Sequence, residues 1–322
     1  MKRITRCVSV FLLLFASLPL KAGAAEFLIP VGKVIGLQLQ DDTLTVAAFD
    51  DALGAVAREG GLKIGDQLLK IDNTAVESVS DVKTALGQCG SRVALTVRRG
   101  TKVSTLHLSP RQTAEGPRLG VYLRQGIAGI GTVTFYDPDT GLFGTLGHGV
   151  SDARGNLMTM KKGCAYPAQV QSVRKGKCGE PGQLKGHADP EGFLGPLLKN
   201  TPQGVFGITN IPWPGEAIPV ADYSDICSGP ARIRSTVRGN SVQEYSVEIL
   251  KIYPESRSDG RNFLIRVTDP ELLSATGGIV QGMSGSPILQ NGRIVGAVTH
   301  VLVNDPTMGY GIFIENMLDA AS

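Results

Sequence analysis

Hydrophobic and polar positions divide the chain into three stretches. It opens with Lys2, Arg3 and Arg6, continues through an apolar run over residues 8–18, and reaches the small residues Ala22-Gly23-Ala24-Ala25. Basic, apolar and small-residue zones in that order predict an export signal over residues 1–25. The apolar run is short for a bilayer span of about 20 residues, so the segment is expected either to be cleaved or to stay as an N-terminal anchor. Either way the remainder crosses a membrane, and no later segment is apolar enough to span one.

The second stretch, residues 26–112, mixes short alternating runs with brief helical patterns. Leu44-Thr45-Val46 alternates, 51–58 suits a short helix, and 67–71 reads as a strand. A helix opens at Ser80 as its N-cap and places Val82, Ala85 and Leu86 on one face. Segments 93–98 and 103–108 pair as a hairpin across Arg99-Gly100-Thr101-Lys102. Residues 111–117, polar and containing Gly116-Pro117, read as a linker. From 113 to 322 the pattern is all-β. Segments 132–136 and 142–146 flank the turn Asp137-Pro138-Asp139-Thr140-Gly141, and glycine or proline recurs about every ten residues with no long helical period, which suggests barrels or a sandwich. Asn291-Gly292, set between 288–290 and 293–298, is a strong hairpin signal.

Composition changes this picture little. With 322 residues there is room for two domains, and 32 basic against 29 acidic residues leave a formal charge of +3. That charge is dispersed along the chain, which argues against nucleic acid as a partner. After Cys7 in the signal come Cys89, Cys164, Cys178 and Cys227. They either form two bridges, the shortest loop being Cys164 to Cys178, or are small buried thiols. No Cys-x-x-Cys or His-x-x-x-His spacing points to structural zinc, and neither a metal nor an organic cofactor is called for.

The candidate chemistry lies in Gly282-Met283-Ser284-Gly285-Ser286-Pro287 and, far upstream, Gly147-His148-Gly149. A serine between small residues, closed by proline, can form a tight turn whose backbone N–H groups converge as an oxyanion hole; here those would be the amides of Gly282 and Ser284. Ser284 is the candidate nucleophile and needs a base within reach, for which His148 is the first candidate. A third group must hold the imidazole in the right tautomer, and by spacing Asp269, Asp189, Asp222 and Asp225 are all eligible. Asp269 has a second reading as a cap or turn residue in Thr268-Asp269-Pro270. His300, in an apolar strand after the serine loop, is a core histidine or a rival base. His107 is expected to face solvent, His187 to sit in a polar loop, and Ser286 to donate within its own loop.

Three resemblances follow from these motifs. The run Gly61-Leu62-Lys63-Ile64-Gly65-Asp66-Gln67-Leu68-Leu69-Lys70-Ile71-Asp72 and the elements around it resemble a bacterial PDZ domain. The resemblance implies a peptide groove whose carboxylate-binding loop falls on Ile35-Gly36-Leu37-Gln38-Leu39, with a peptide ligand, possibly this chain's own tail, added as an extra strand. Base before nucleophile resembles the chymotrypsin-like double-barrel peptidases. Met283 stands where many of those carry an aspartate, which speaks against their zymogen switch. The third resemblance covers nearly the whole chain. Gly144-Thr145-Leu146-Gly147-His148-Gly149, Val267-Thr268-Asp269-Pro270, the run from Gly277 to Ile288 and Gly296-Ala297-Val298-Thr299-His300-Val301 are similar to the stage IV sporulation protein B peptidases. That similarity implies a serine endopeptidase with Ser284, His148 and Asp269 as its triad. Such an enzyme would be exported into the space between the forespore membranes, cut a membrane-associated regulator there, and so trigger activation of a late mother-cell sigma factor. Two other readings remain: a catalytically silent PDZ scaffold, and an envelope quality-control protease, although the latter kind usually places its PDZ domain after the peptidase.

Overall fold

The computed structural model describes residues 27–152, 155–254 and 259–322, so the expected export signal lies outside the described residues. Among the described residues no helix is long and apolar enough to cross a membrane.

Two long strands, Val34–Phe49 and Val121–Tyr136, organise everything else. They run antiparallel from Val34 opposite Thr132 to Phe49 opposite Val121, and the register slips between Leu39 and Leu44. Gly126 sits at that slip with φ +80, and a Cβ there would lie 1.9 Å from the Leu39 carbonyl oxygen, so only glycine fits. On one side of the slip the two strands belong to a closed barrel. Its ring runs on through Leu142–Thr145, Gly204–Ile208, Gly195–Thr201 and Lys162–Arg174 and returns to Val34–Phe49. Ile35, Leu37, Leu39, Val133, Phe143 and Val205 fill it.

A second closed barrel is built from Gly229–Arg238, Ser241–Ile252, Phe263–Val267, Asp305–Phe313, Arg293–Leu302 and Pro287–Gln290. Alternating inward residues such as Val247, Ile249 and Ile265 fill it, with Phe263 and Phe313 edge to face at 4.7 Å. The Asn291-Gly292 hairpin forms as its sequence predicts, both residues having positive φ between the paired Gln290 and Arg293.

On the other side of the slip lies the PDZ unit. Here 44–49 and 121–125 join Gln67–Ile71, Val93–Arg99 and Lys102–Leu108 in one sheet, covered by the helices Ala55–Glu59 and Val79–Gln88. Leu44, Val46, Leu68, Leu95, Val97 and Leu86 make its core. The longer helix buries Val82, Ala85 and Leu86 as expected, but its N-cap is Ser78, which closes a capping box with Asp81. Residues 111–118 form a small hairpin rather than a plain linker.

One expectation is corrected. The segment Ile35-Gly36-Leu37-Gln38-Leu39 is no carboxylate-binding loop: it is the middle of a barrel strand, with 127–131 paired on one side and 163–167 on the other. Both edges being taken, it has no room for a peptide strand. Strands cross the division at 112/113: 34–39 pairs within the first barrel and 121–125 within the PDZ sheet. As for the cysteines, Cys89, Cys164, Cys178 and Cys227 are all free thiols.

Candidate active site and peptide groove

The cleft between the barrels has a volume of about 600 Å³ and is lined by His148, Gly149, Gly282, Ser284, Thr299 and His300 together with apolar groups including Leu37 and Ile130. Each barrel brings one reacting side chain.

Ser284 rides on a turn that opens at Gly282 (φ +99) and passes Gly285 (φ +95). Gly285 lies at the seam between the barrels, where a Cβ would be 2.0 Å from the Thr132 carbonyl oxygen and 2.5 Å from the Leu146 nitrogen. The peptide planes of the turn are pinned by their carbonyls: Gln281 O accepts from Leu184 N at 2.8 Å, and Met283 O accepts from Ser286 N at 2.9 Å. The following amides, those of Gly282 and Ser284, donate to no protein acceptor among the described residues. The Ser284 hydroxyl donates to the Thr299 carbonyl at 2.8 Å. Ser286 is buried and reaches Ser235 Oγ in the barrel wall at 3.0 Å, not its own loop.

His148 follows a sharp turn in which Leu146 (φ +70) and Gly147 (φ +68) both take left-handed conformations. Its Nδ1 lies 2.9 Å from the Gly149 carbonyl oxygen, which fits the Nδ1–H tautomer and leaves Nε2 as the acceptor. Burial holds the imidazole below its ordinary value of 6.5, the Gly149 bond only partly opposing this, so the ring is neutral at pH 7.

His300 stands beside it, with ring centroids 5.4 Å apart. Its Nδ1 is buried without a partner. Burial first, then the neighbouring His148 and Arg261, push its value down to about 4 against the pull of Asp259. His107 is exposed as expected, and exposed His187 lies in the strand Gln183–Ala188 instead of a loop.

The carboxylates expected as the third group are elsewhere. Asp269 is the N-cap of the helix Pro270–Thr276: its carboxylate accepts from the amides of Glu271, Leu272 and Ser246 at 3.0, 3.0 and 3.2 Å. It is a capping residue and does not line the cleft. Asp189 accepts from the Glu191 amide, Asp222 caps the short turn Tyr223–Asp225, and Asp225 is exposed within that turn. The group that meets His148 Nδ1 is thus a main-chain carbonyl.

The PDZ unit has its own groove, of about 270 Å³, where Val79, Val82 and Leu86 of the helix face Leu119, Val121 and Leu123. Residues 121–125 pair with Val34–Phe49 along one edge, and the other edge fronts this groove. Leu119-Gly120-Val121-Tyr122-Leu123 has the same apolar–glycine–alternating pattern as Ile35-Gly36-Leu37-Gln38-Leu39. That was the signal available for it. Gly120 is required where it is, because at φ +69 a Cβ would lie 2.3 Å from the Leu53 carbonyl oxygen.

A serine and a histidine lining a double-barrel cleft, beside a PDZ unit, define a serine peptidase with a PDZ domain. The family model for SpoIVB peptidase S55 matches residues 115–318, and one for the PDZ domain matches 34–109. The chain belongs to the SpoIVB peptidase S55 family. Comparison with curated proteins gives no match. Among solved structures it is similar to the PDZ domain of the SdrC-like protein from Listeria monocytogenes (21% identity, 26% of this chain and 88% of that one, TM-score 0.22). It is also similar to the inactive form of the Rv3671c protease (12%, 60% and 82%, TM-score 0.33) and to the Ser343Ala mutant of Rv3671c from Mycobacterium tuberculosis H37Rv (14%, 60% and 80%, TM-score 0.32).

Proposed function

We propose that this serine peptidase is an exported endopeptidase of sporulation signalling. In this reading it cuts a membrane-associated regulatory protein between the forespore membranes and thereby triggers activation of a late mother-cell sigma factor. The observation that carries the reading is the presence of Ser284 and His148 in the lining of one cleft in a chain of this family. His148 Nε2 takes the proton of the Ser284 hydroxyl as that hydroxyl leaves the Thr299 carbonyl, and the oxygen attacks the substrate carbonyl. The amides of Gly282 and Ser284 receive the oxyanion, each such donor contributing about 3 kcal/mol to transition-state stabilisation. The proton then passes to the leaving amine, and water, with His148 again as base, releases the acyl-enzyme. The PDZ groove at 119–123 takes an extended peptide from the substrate, a regulator or the chain itself as an added strand.

The test is replacement of the gene by one encoding Ser284→Ala. Loss of sigma-factor processing, with the variant protein present at normal level and restored by the wild-type gene, is expected. Normal processing would overturn the signalling role.

A further inference from the structure

Ser284 and His148 belong to different barrels, so their alignment depends on how the barrels are registered. One buried residue is bonded to both loops. Thr132, wholly inaccessible, lies on the strand Val121–Tyr136 directly behind the nucleophile turn. Its hydroxyl donates to the Gly282 carbonyl at 2.8 Å, and its amide donates to the Ser284 carbonyl at 3.1 Å. These two carbonyls flank the Met283–Ser284 peptide unit, whose N–H faces the oxyanion position in the proposed mechanism. In the other direction the Thr132 carbonyl accepts from the Leu146 amide at 3.2 Å and from the Thr145 hydroxyl at 2.7 Å, next to the turn that delivers His148.

The sequence explains why such a clamp is needed. Gly282 and Gly285 must adopt positive φ, and glycines have several alternatives open to them. A turn of this kind can rotate a peptide plane and aim a carbonyl where an amide should be. A donor fixed on a barrel strand and aimed at the Gly282 carbonyl raises the cost of that rotation.

We propose that Thr132 is a positioning residue for the peptidase reaction, holding the nucleophile turn of the second barrel in register with the histidine turn of the first. It touches no substrate and acts through the Gly282 carbonyl. The inference rests on Ser284 being the nucleophile.

The experiment uses the full chain and an alkyl fluorophosphonate, with labelling of Ser284 followed over a range of probe concentrations to separate the maximal labelling rate from the probe's dissociation constant. Labelling of the wild type tests the serine-peptidase reading by itself, so its failure is distinguishable from failure of the clamp. Thr132→Val keeps the shape and deletes the donor; the maximal rate should fall about tenfold or more while the dissociation constant stays within about twofold. Thr132→Ser restores the hydroxyl and should keep the rate within about threefold of wild type. The matched control is Thr236→Val, which removes another buried hydroxyl bond between the barrels, from Thr236 to the Gly32 carbonyl at 3.0 Å, neither residue lining the cleft. It should leave the rate unchanged at equal folded fraction. Equal maximal rates for Thr132→Val and wild type, or equal losses for Thr132→Val and Thr236→Val, would overturn the proposal. Should Thr132→Val not fold, a tenfold loss in folded Thr132→Ser would do the same.

Discussion

At the scale of single residues, three side chains make distinct predictions. His148 must be neutral to act as base, so activity is present above its folded value and lost as pH falls through it. Because burial depresses that value, the acid limb of the rate profile should have its midpoint below the ordinary 6.5. A midpoint at or above 6.5 in single-turnover hydrolysis would show the ring to be more solvated than described. Asp269→Asn keeps part of a cap and is remote from the cleft; it should lower stability by about 1 kcal/mol and leave activity within about tenfold, whereas loss of a true triad aspartate costs about four powers of ten. Urea unfolding and hydrolysis rates on the same sample separate the two roles. At Gly285 neither space nor backbone conformation admits a side chain, so Gly285→Ala should abolish labelling of Ser284 by forcing the seam with Thr132 and Leu146 apart.

At the scale of elements, what the sequence disclosed was local and what it concealed was pairing. The Ser284 turn, the Asn291-Gly292 hairpin and the apolar face of the helix Val79–Gln88 depend on neighbours a few positions away, and each formed where its pattern put it. Asp269 is also locally readable, since Asp-Pro before an apolar helical run is an N-cap arrangement; spacing leaves it one of four eligible aspartates, and the resemblance singles it out. The peptide groove was not readable. Segments 35–39 and 119–123 share one pattern, and which of them keeps a free edge is decided by strands about 70 to 130 positions away in the chain. Gly36 therefore has a barrel role: a Cβ there would lie 2.4 Å from the Ala188 Cβ, so a bulky residue would damage the barrel and not merely the groove. The PDZ sheet carries a further test in Asp66, which is fully buried with Arg99 bound to both its oxygens at 2.6 Å. Burial alone would raise its carboxyl, but the Arg99 guanidinium and the Lys63 amide together hold it below 3.8. Stability from this pair is present above the unfolded value and lost as pH falls through the lower folded one. Arg99→Gln should lower stability at pH 7, less than loss of a fully buried pair would because Arg99 is partly exposed, and the deficit should shrink in urea titrations below pH 3.8.

At the scale of the whole molecule, the PDZ unit is joined to the peptidase through two shared strands. The strands that cross the slip at Gly126 serve both units, which ties the groove at 119–123 to Thr132 and the nucleophile turn through one continuous strand. Truncation at the boundary suggested by the sequence would therefore remove the barrel segment 34–39 along with the PDZ unit. The first barrel would lose a central strand carrying Ile35, Leu37 and Leu39 and expose two unpaired edges, at 127–131 and 163–167. A chain starting at residue 113 should accordingly be insoluble or unfolded. Excision of 41–125 should behave differently. Leu39 pairs with Ile127, so their ends can be joined by a short Asn-Gly turn that leaves every strand of the first barrel in place. That shortened protein should fold, label at Ser284 with a fluorophosphonate, and lose binding of any peptide held by the groove. Circular dichroism, labelling and calorimetry on the two deletions decide between the arrangements. If the chain from 113 labels like wild type while the excised one does not, the peptidase is complete without 34–39 and the shared strands are dispensable to it.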